Sequence, residues 1–411
     1  MRKHTFVVIQ TFAAASLMLA SAAALAQAPS FEQIVKLALA THPAILSKQS
    51  SSLAAKADVE GADWQRYPTP SVEFNNDNRS TRSTLFRLQQ PLWAGGRITA
   101  GIDAAQSRFQ SAETAISETK QEVVLRVISA YVEALRQRGR EETIARGVEQ
   151  HERLLGLITR RVEHEASPRV DQDLAQSRLY QANNDLSTVR QALANALTQL
   201  SQLAGKRIDA VAAVDVDALA GPNSMATALE QAIAFSPTLR RLAFEDEAAK
   251  AEIEASKAIY QPRVSARYEH ASASAPINGI PGFTTNRVLL VVEAQTGAGL
   301  SSMSGVDAAI AKREATRLQR ETALRDLRER VSVDWDDLIA SRKRLENSVL
   351  ASTSSKEVYE SYARQYTAGR KTWLDVLNTV RESTQSDVAA VDARAQVTGA
   401  KLRLQLETGN L

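Results

Sequence analysis

Cysteine is absent from the 411 residues. That excludes disulfides, thiolate metal ligands and a lipidated N-terminus, which needs a cysteine at its cleavage site. Histidine is scarce. The five present (His4, His42, His151, His164, His270) show no ligand spacing, so no metal site is expected. Gly-rich phosphate loops and G-x-S-x-G are missing too, and the Gly95-Gly96 pair falls at a predicted strand-to-helix joint, where turn geometry explains it. The chain therefore reads as a non-enzyme without cofactors, dependent on a partner for energy. Charge of one sign is also lacking. Fifty Lys+Arg stand against 47 Asp+Glu, which describes solvated helical faces and not a nucleic-acid surface. Beyond residue 25 no segment approaches the ~18 apolar residues of a membrane helix. If the mature chain crosses a membrane it must do so with β-strands closed into a barrel, because lipid cannot satisfy an open sheet edge.

What is present begins with a leader. Arg2 and Lys3 precede an apolar stretch from Phe6 to Leu25 that closes on Ala24-Leu25-Ala26. A basic start, an apolar middle and a small-residue end make residues 1–26 a secretory signal peptide. Its removal takes two cations and leaves a formal charge of +1 from +3.

An internal repeat sets the architecture. Residues 31–74 align with 225–268 without a gap, placing Pro43 on Pro237 and Pro68 on Pro262. The match resumes at Gly101-Ile102-Asp103-Ala104-Ala105 against Gly305-Val306-Asp307-Ala308-Ala309, ten residues further out of step, as if a loop tip had been lengthened. The expected domains are a first repeat over 27–204, a linker over 205–224 and a second repeat over 225–411.

Each repeat carries the same order of elements. A short helix (about 31–41 and 225–235) ends before a proline, since the residue preceding proline avoids the α region. An Ala-rich helix follows, to Tyr67 or Gln261. Two extended segments come next, about 70–77 and 83–91, then about 263–271 and 284–294. Val72 and Phe74, Val264, Ala266 and Tyr268, and Val288, Leu290 and Val292 sit at period two, with Arg267, Glu269, Arg287 and Glu293 on the opposite face. About nine residues suffice for a tilted strand to cross a bilayer. Trp64, Tyr67 and Trp93 lie near the strand ends, where either an aromatic belt or junction packing would use them. Proline-free stretches from Ile98 to about Glu165 and from Ser302 to Ala368 predict helices of roughly 100 Å. Leu324, Val331, Leu338, Leu345, Tyr359 and Tyr366 at multiples of seven, and Leu186, Val189, Leu193, Ala196, Leu200 and Leu203 at steps of three and four, are coiled-coil seams. Breaks at Ala166-Ser167-Pro168-Arg169 and Thr367-Ala368-Gly369-Arg370-Lys371 precede return helices to Gly205 and Gly409.

Three segments carry a resemblance: Ala38-Leu39-Ala40-Thr41-His42-Pro43, Gln90-Pro91-Leu92-Trp93-Ala94-Gly95-Gly96-Arg97, and the turn from Tyr366 through Gly369-Arg370-Lys371 and Asp375-Val376-Leu377 to Asn378. In this order, inside a tandem repeat, the chain resembles the TolC family of outer-membrane efflux and secretion channels over about 31–409. The resemblance implies a mainly α fold with a small β part. Coiled-coil helices would form a periplasmic α-helical barrel, and four strands per protomer a trimeric 12-stranded outer-membrane barrel. Four strands cannot close a membrane barrel alone, whereas three copies remove every edge. The stretch Gly369 to Leu377, with Gly299-Leu300-Ser301-Ser302, is most similar to the branch serving type I secretion of large adhesins. At Gln295-Thr296-Gly297-Ala298-Gly299 the second repeat drops a proline and an aromatic found in relatives, so its barrel-to-helix joint is expected to differ.

Site residues follow from the same resemblance. A periplasmic latch would join Asp173 on the first tip to Tyr366 and Lys371 on the second, with lysine where relatives often carry arginine; a point-charge contact survives that change better than a bidentate one. Pore-narrowing positions fall at Asp375 and the neutral Asn378, where three aspartates about the axis would select cations or bind divalent ions. Asp173 and Asp375 also read as first-turn carboxylates favouring a helix N-terminus. Gly369, Arg370 and Trp373 form a tip suited to an adaptor, although coiled-coil packing accounts for Trp373 as well. The implied partners are two further copies, outer-membrane lipid, a periplasmic adaptor and an inner-membrane ABC transporter, or a proton-driven pump if the duct serves drug or metal efflux. A soluble periplasmic coiled-coil scaffold is the competing class; it predicts no barrel.

Overall fold

The computed structural model describes residues 28–76, 82–215, 221–273, 282, 284–294 and 301–411. The leader, the place of the ten-residue insertion and the 295–299 joint lie outside them. The first repeat contains α1 (Phe31–Thr41), α2 (Pro43–Trp64), β1 (Thr69–Asn76), β2 (Arg82–Trp93), α3 (Arg97–Glu163) and α4 (Arg169–Ala204). The second contains α5 (Met225–Phe235), α6 (Pro237–Lys257), β3 (Arg263–Ala273), β4 (Thr284–Glu293), α7 (Ser302–Thr367) and α8 (Trp373–Thr408). Proline sets the early breaks: Pro43 and Pro237 take the first helical position, where a missing N–H costs nothing. The Ala-rich helices end a few residues before their expected limits. In the second half a 3-10 turn over Ala258–Tyr260 absorbs the difference, since the chain must already leave the α region ahead of Pro262.

Two layers share one open topology. The strands form an antiparallel sheet in the order β1-β2-β3-β4, so each repeat supplies one hairpin. The long helices run α4-α3-α8-α7, as α3 packs on both α4 and α8 and α7 packs on α8. Nineteen residues of α3 and eighteen of α8 are buried, against six each on α4 and α7. The inner pair is therefore core, while the outer pair offers its faces beyond the protomer. Ile310, Leu318, Val333, Ile339, Val349, Leu350 and Val358 are exposed along α7. Among the described residues β1 and β4 each leave one edge unpaired, matching those open helices, so repetition about an axis closes both layers at once.

The sheet has two chemically distinct faces. On one, Val72, Phe74, Leu88, Tyr268, Val288, Leu290 and Val292 are exposed to the surroundings. Cross-strand register puts Ser71, Arg87, Glu269 and Arg287 on the other, in one row. An apolar outside and a polar inside identify a membrane barrel wall. Among the described residues no helix is long and apolar enough to cross a membrane. Trp64 stacks on Tyr67 at 5.2 Å, and both, like Trp93, are exposed beside the strand ends, as interfacial aromatics are.

Gly95 and Gly96 turn β2 into α3 with φ of 62° and 86°. A side chain on Gly95 would lie 2.3 Å from Cβ of Gln261, so the joint needs glycine for conformation and space alike. The interior around α1–α4 holds Ile34, Ile45, Val127, Tyr131, Leu200 and Leu402. Ile208 and Val211 belong to it as well, so the start of the segment read as a linker is packed core. Tyr131 donates to the carbonyl of Ala212 at 2.6 Å, and burial pushes its phenol up to about 12.

Candidate functional site at the helix tips

The two hairpin tips lie together at the end far from the sheet. There α3 turns into α4 and α7 into α8, each through a left-handed residue after the helix: Glu165 at φ 57° in the first tip and Gly369 at φ 72° in the second. The hydrogen bonds match. Ala166 N–H donates to Arg161 and Glu165 N–H to Val162, just as Arg370 N–H donates to Gln365 and Gly369 N–H to Tyr366.

An apolar cluster locks the tips to one another. Leu154, Ile158 and Ala175 from the first half meet Tyr366, Trp373, Val376, Leu377 and Val380 from the second. Trp373 is only 4% exposed, and its indole N–H donates to the carbonyl of Asp171 at 3.0 Å across the tips. Its place at the tip is thus packing; the exposed surface belongs to Gly369 and Arg370. Burying the ring removes its large apolar area from water, and the single polar atom finds a partner. Tyr366 stacks on Trp373 at 5.2 Å, with the guanidinium of Arg161 5.0 Å from its ring centroid, and its buried hydroxyl makes no hydrogen bond. The heptad count anticipated Tyr366 as a seam residue. Arg161 and Asp171 carried no signal of their own, since their partners lie some 200 residues away.

The three latch positions do not meet within one protomer. Asp173 is exposed. Lys371 holds its ammonium 4.0 Å from the ring of Tyr362, and Tyr366 faces inward. At the constriction positions, Asp375 closes a capping box. Thr372 N–H donates to its Oδ2 at 3.0 Å and the Thr372 hydroxyl at 2.8 Å, while Asp375 N–H donates back to Thr372 Oγ1 at 3.3 Å. These two bonds from Thr372, with the Lys371 charge as a smaller cause, hold the carboxyl below its ordinary 3.8. The capping oxygen is Oδ2. Asn378 is exposed one turn further along α8.

A family model described as outer membrane efflux protein matches residues 34–206 and 228–410, one stretch in each repeat. No curated protein sequence matches significantly. Among solved structures, a membrane protein from Pseudomonas aeruginosa superposes with a TM-score of 0.81 at 19% identity, covering 92% of each chain. The outer membrane protein VceC from Vibrio cholerae gives 0.77 at 14%, covering 92% of this chain and 96% of its own. The open state of the MtrE outer membrane channel of Neisseria gonorrhoeae gives 0.76 at 17%, covering 92% and 88%.

Proposed function

The chain belongs to the outer membrane efflux protein family, and we propose that it is the export duct of a type I secretion system. As a member it is a non-enzymatic outer-membrane channel whose helices stand in the periplasm. Members are trimers that work with periplasmic adaptors and inner-membrane pumps. The physical counterpart is the paired opening of both layers, edge strands and edge helices alike, with an apolar face on the strands.

The finer assignment, to an ABC transporter and protein cargo, rests on the second-half turn Gly369-Arg370-Lys371-Thr372-Trp373-Leu374-Asp375-Val376-Leu377. Its exposed Gly369-Arg370 end is the adaptor-facing surface in this reading. A drug or metal efflux duct is the alternative, with the same geometry and a proton-driven pump. Photo-crosslinking from position 370 in whole cells, followed by identification of the attached inner-membrane complex, separates the two. An ATP-hydrolysing transporter with its adaptor supports secretion; capture of a proton-driven pump overturns it.

Closure in this proposal depends on the tips. Three Asp375 carboxylates around the axis narrow the pore electrostatically, while Asp173 and Lys371 supply opposite charges for contact between protomers. Asn378 adds no charge, so the cation trap is a single ring.

A further inference from the structure

The polar face of the sheet contains a charge arrangement that the duct reading does not explain. Glu269, at the middle of β3, is nearly buried, and three arginines converge on it. Arg87 on β2 approaches Oε1 at 3.2 Å, Arg287 on β4 approaches Oε2 at 3.1 Å, and Arg267 lies 3.8 Å from Oε1. Arg267 is held there by Gln89, whose carbonyl oxygen accepts from its Nε and terminal nitrogen at 3.2 and 3.0 Å. Gln89 in turn donates to Ser265 at 3.3 Å. A carboxylate offers room for several donors but cancels only one charge. Three guanidiniums against one carboxylate leave two positive charges per protomer, hence six in a trimer.

Among the described residues, the rest of this face cancels only part of the surplus. Arg263 and Glu293 pair at 3.9 Å at the other end of the strands and are neutral together. Glu73, on β1, adds one negative charge opposite Leu85, two residues nearer the outer end than the row of Arg87, and leaves this face one positive charge per protomer. Because the opposite face is exposed and apolar, this one lines the lumen. Twelve strands at ~4.8 Å spacing and ~40° tilt enclose a cylinder about 24 Å across between backbones. The wall lies about 12 Å from the axis, and inward arginines bring their charges to within roughly the screening length of physiological salt, about 8 Å, so the field of the row reaches the axis.

We propose that Arg87, Arg267 and Arg287, gathered around Glu269, form a positive belt inside the barrel that biases the outer-membrane pore toward anionic permeants. The belt opposes the acidic ring at the tips, giving the duct two stations of opposite sign. The inference rests on the trimeric channel reading and adds a selectivity determinant to it. Glu269 is a positioning residue, because it holds the arginines in place and lowers their surplus.

The test is the reversal potential of the purified trimer in planar bilayers under a KCl gradient. One charge about 8 Å from an ion in water changes its local concentration roughly twofold, which sets the scale of each shift. Glu269→Gln removes one negative charge from each of three protomers, so chloride preference should rise about twofold or more. The balanced set Arg87→Gln, Arg267→Gln, Arg287→Gln, Glu269→Gln removes the belt without stranding a carboxylate and should lower it at least as much. Should either fail to form trimers, Arg267→Gln leaves Glu269 two partners and should shift preference the same way as the balanced set. Reversal potentials unchanged from wild type in the trimers that form would overturn the belt. A wild-type trimer that passes no current would count against the duct itself, a distinct outcome.

Discussion

The two hairpin tips face the same problem, reversing a helix of over 60 residues, and solve it with different chemistry. The first tip places Glu165, a residue with a β-carbon, in the left-handed region. It then begins α4 just after Pro168, an N-cap residue that offers no side-chain cap. The second tip uses Gly369 at the same place and begins α8 with the reciprocal Thr372–Asp375 box. A non-glycine in that conformation costs about 1–2 kcal/mol, and a lost cap about 1. One tip therefore stores strain while the other is locally relaxed, and Trp373 ties them together through Asp171. Two tips that differ in intrinsic stability should part first at the weaker one unless the tie holds.

Breaking the tie is the largest test. Trp373→Ala removes a buried indole from the cluster that joins the halves, and should cost about 3–5 kcal/mol of local stability. Hydrogen exchange should show residues 154–162 and 373–380 losing protection together. Loss confined to the second half would show that the tips are independent. Trp373→Phe keeps a ring, loses the bond to Asp171 and gives up part of the buried area, so about 1–2 kcal/mol is expected and the coupling should weaken without collapse.

Next in size is the backbone. Gly369→Ala meets no atom within 4 Å, so its cost of about 1–2 kcal/mol is pure conformational strain and should make the second tip resemble the first. Exchange rates of the first turn of α8 measure it; rates equal to wild type would remove the strain argument.

Capping adds a pH dependence to one tip only. Asp375 has its folded pKa lowered chiefly by the Thr372 hydroxyl and backbone N–H. Its stabilising contribution is full above the unfolded value, near 3.8, and is lost as pH falls through the lower folded value. Protection at the start of α8 should decline on acidification below about pH 4, more steeply than in Asp375→Asn, which keeps a capping oxygen but no titrating charge. Identical profiles would mean that the box contributes nothing through ionisation.

Much of this construction is legible along the chain, because its determinants are local. Pro43, Pro237 and the Pro168 and Gly369 breaks bound the helices, and the long spans emerge within about two residues of their reading. Arg267, Glu269 and Arg287 separate from Val264, Ala266 and Tyr268 by strand parity alone. What stays hidden depends on pairing between the halves. Arg87 meets Glu269 across 182 positions, and Trp373 meets Asp171 across 202. Short-range periodicity places Trp373 on a seam or at a tip with equal ease; only the packing of two tips against each other chooses burial.

The smallest effect sharpens the comparison from the strained side. Glu165→Gly lets the first tip adopt its left-handed turn without the β-carbon penalty, but frees the unfolded chain as well, so the net gain is about 1 kcal/mol or less. Denaturation alone would barely register so small a change across a 411-residue chain. Exchange at Ala166 and Glu165, whose N–H groups bond Arg161 and Val162, reports it directly. Slower exchange there, with the second tip unchanged, would establish that strain at the first turn is a property of that turn and does not pass through Trp373. Slower exchange at both would mean the indole transmits it, and the two tips would then act as one gate whose set point lies in the conformation of residue 165.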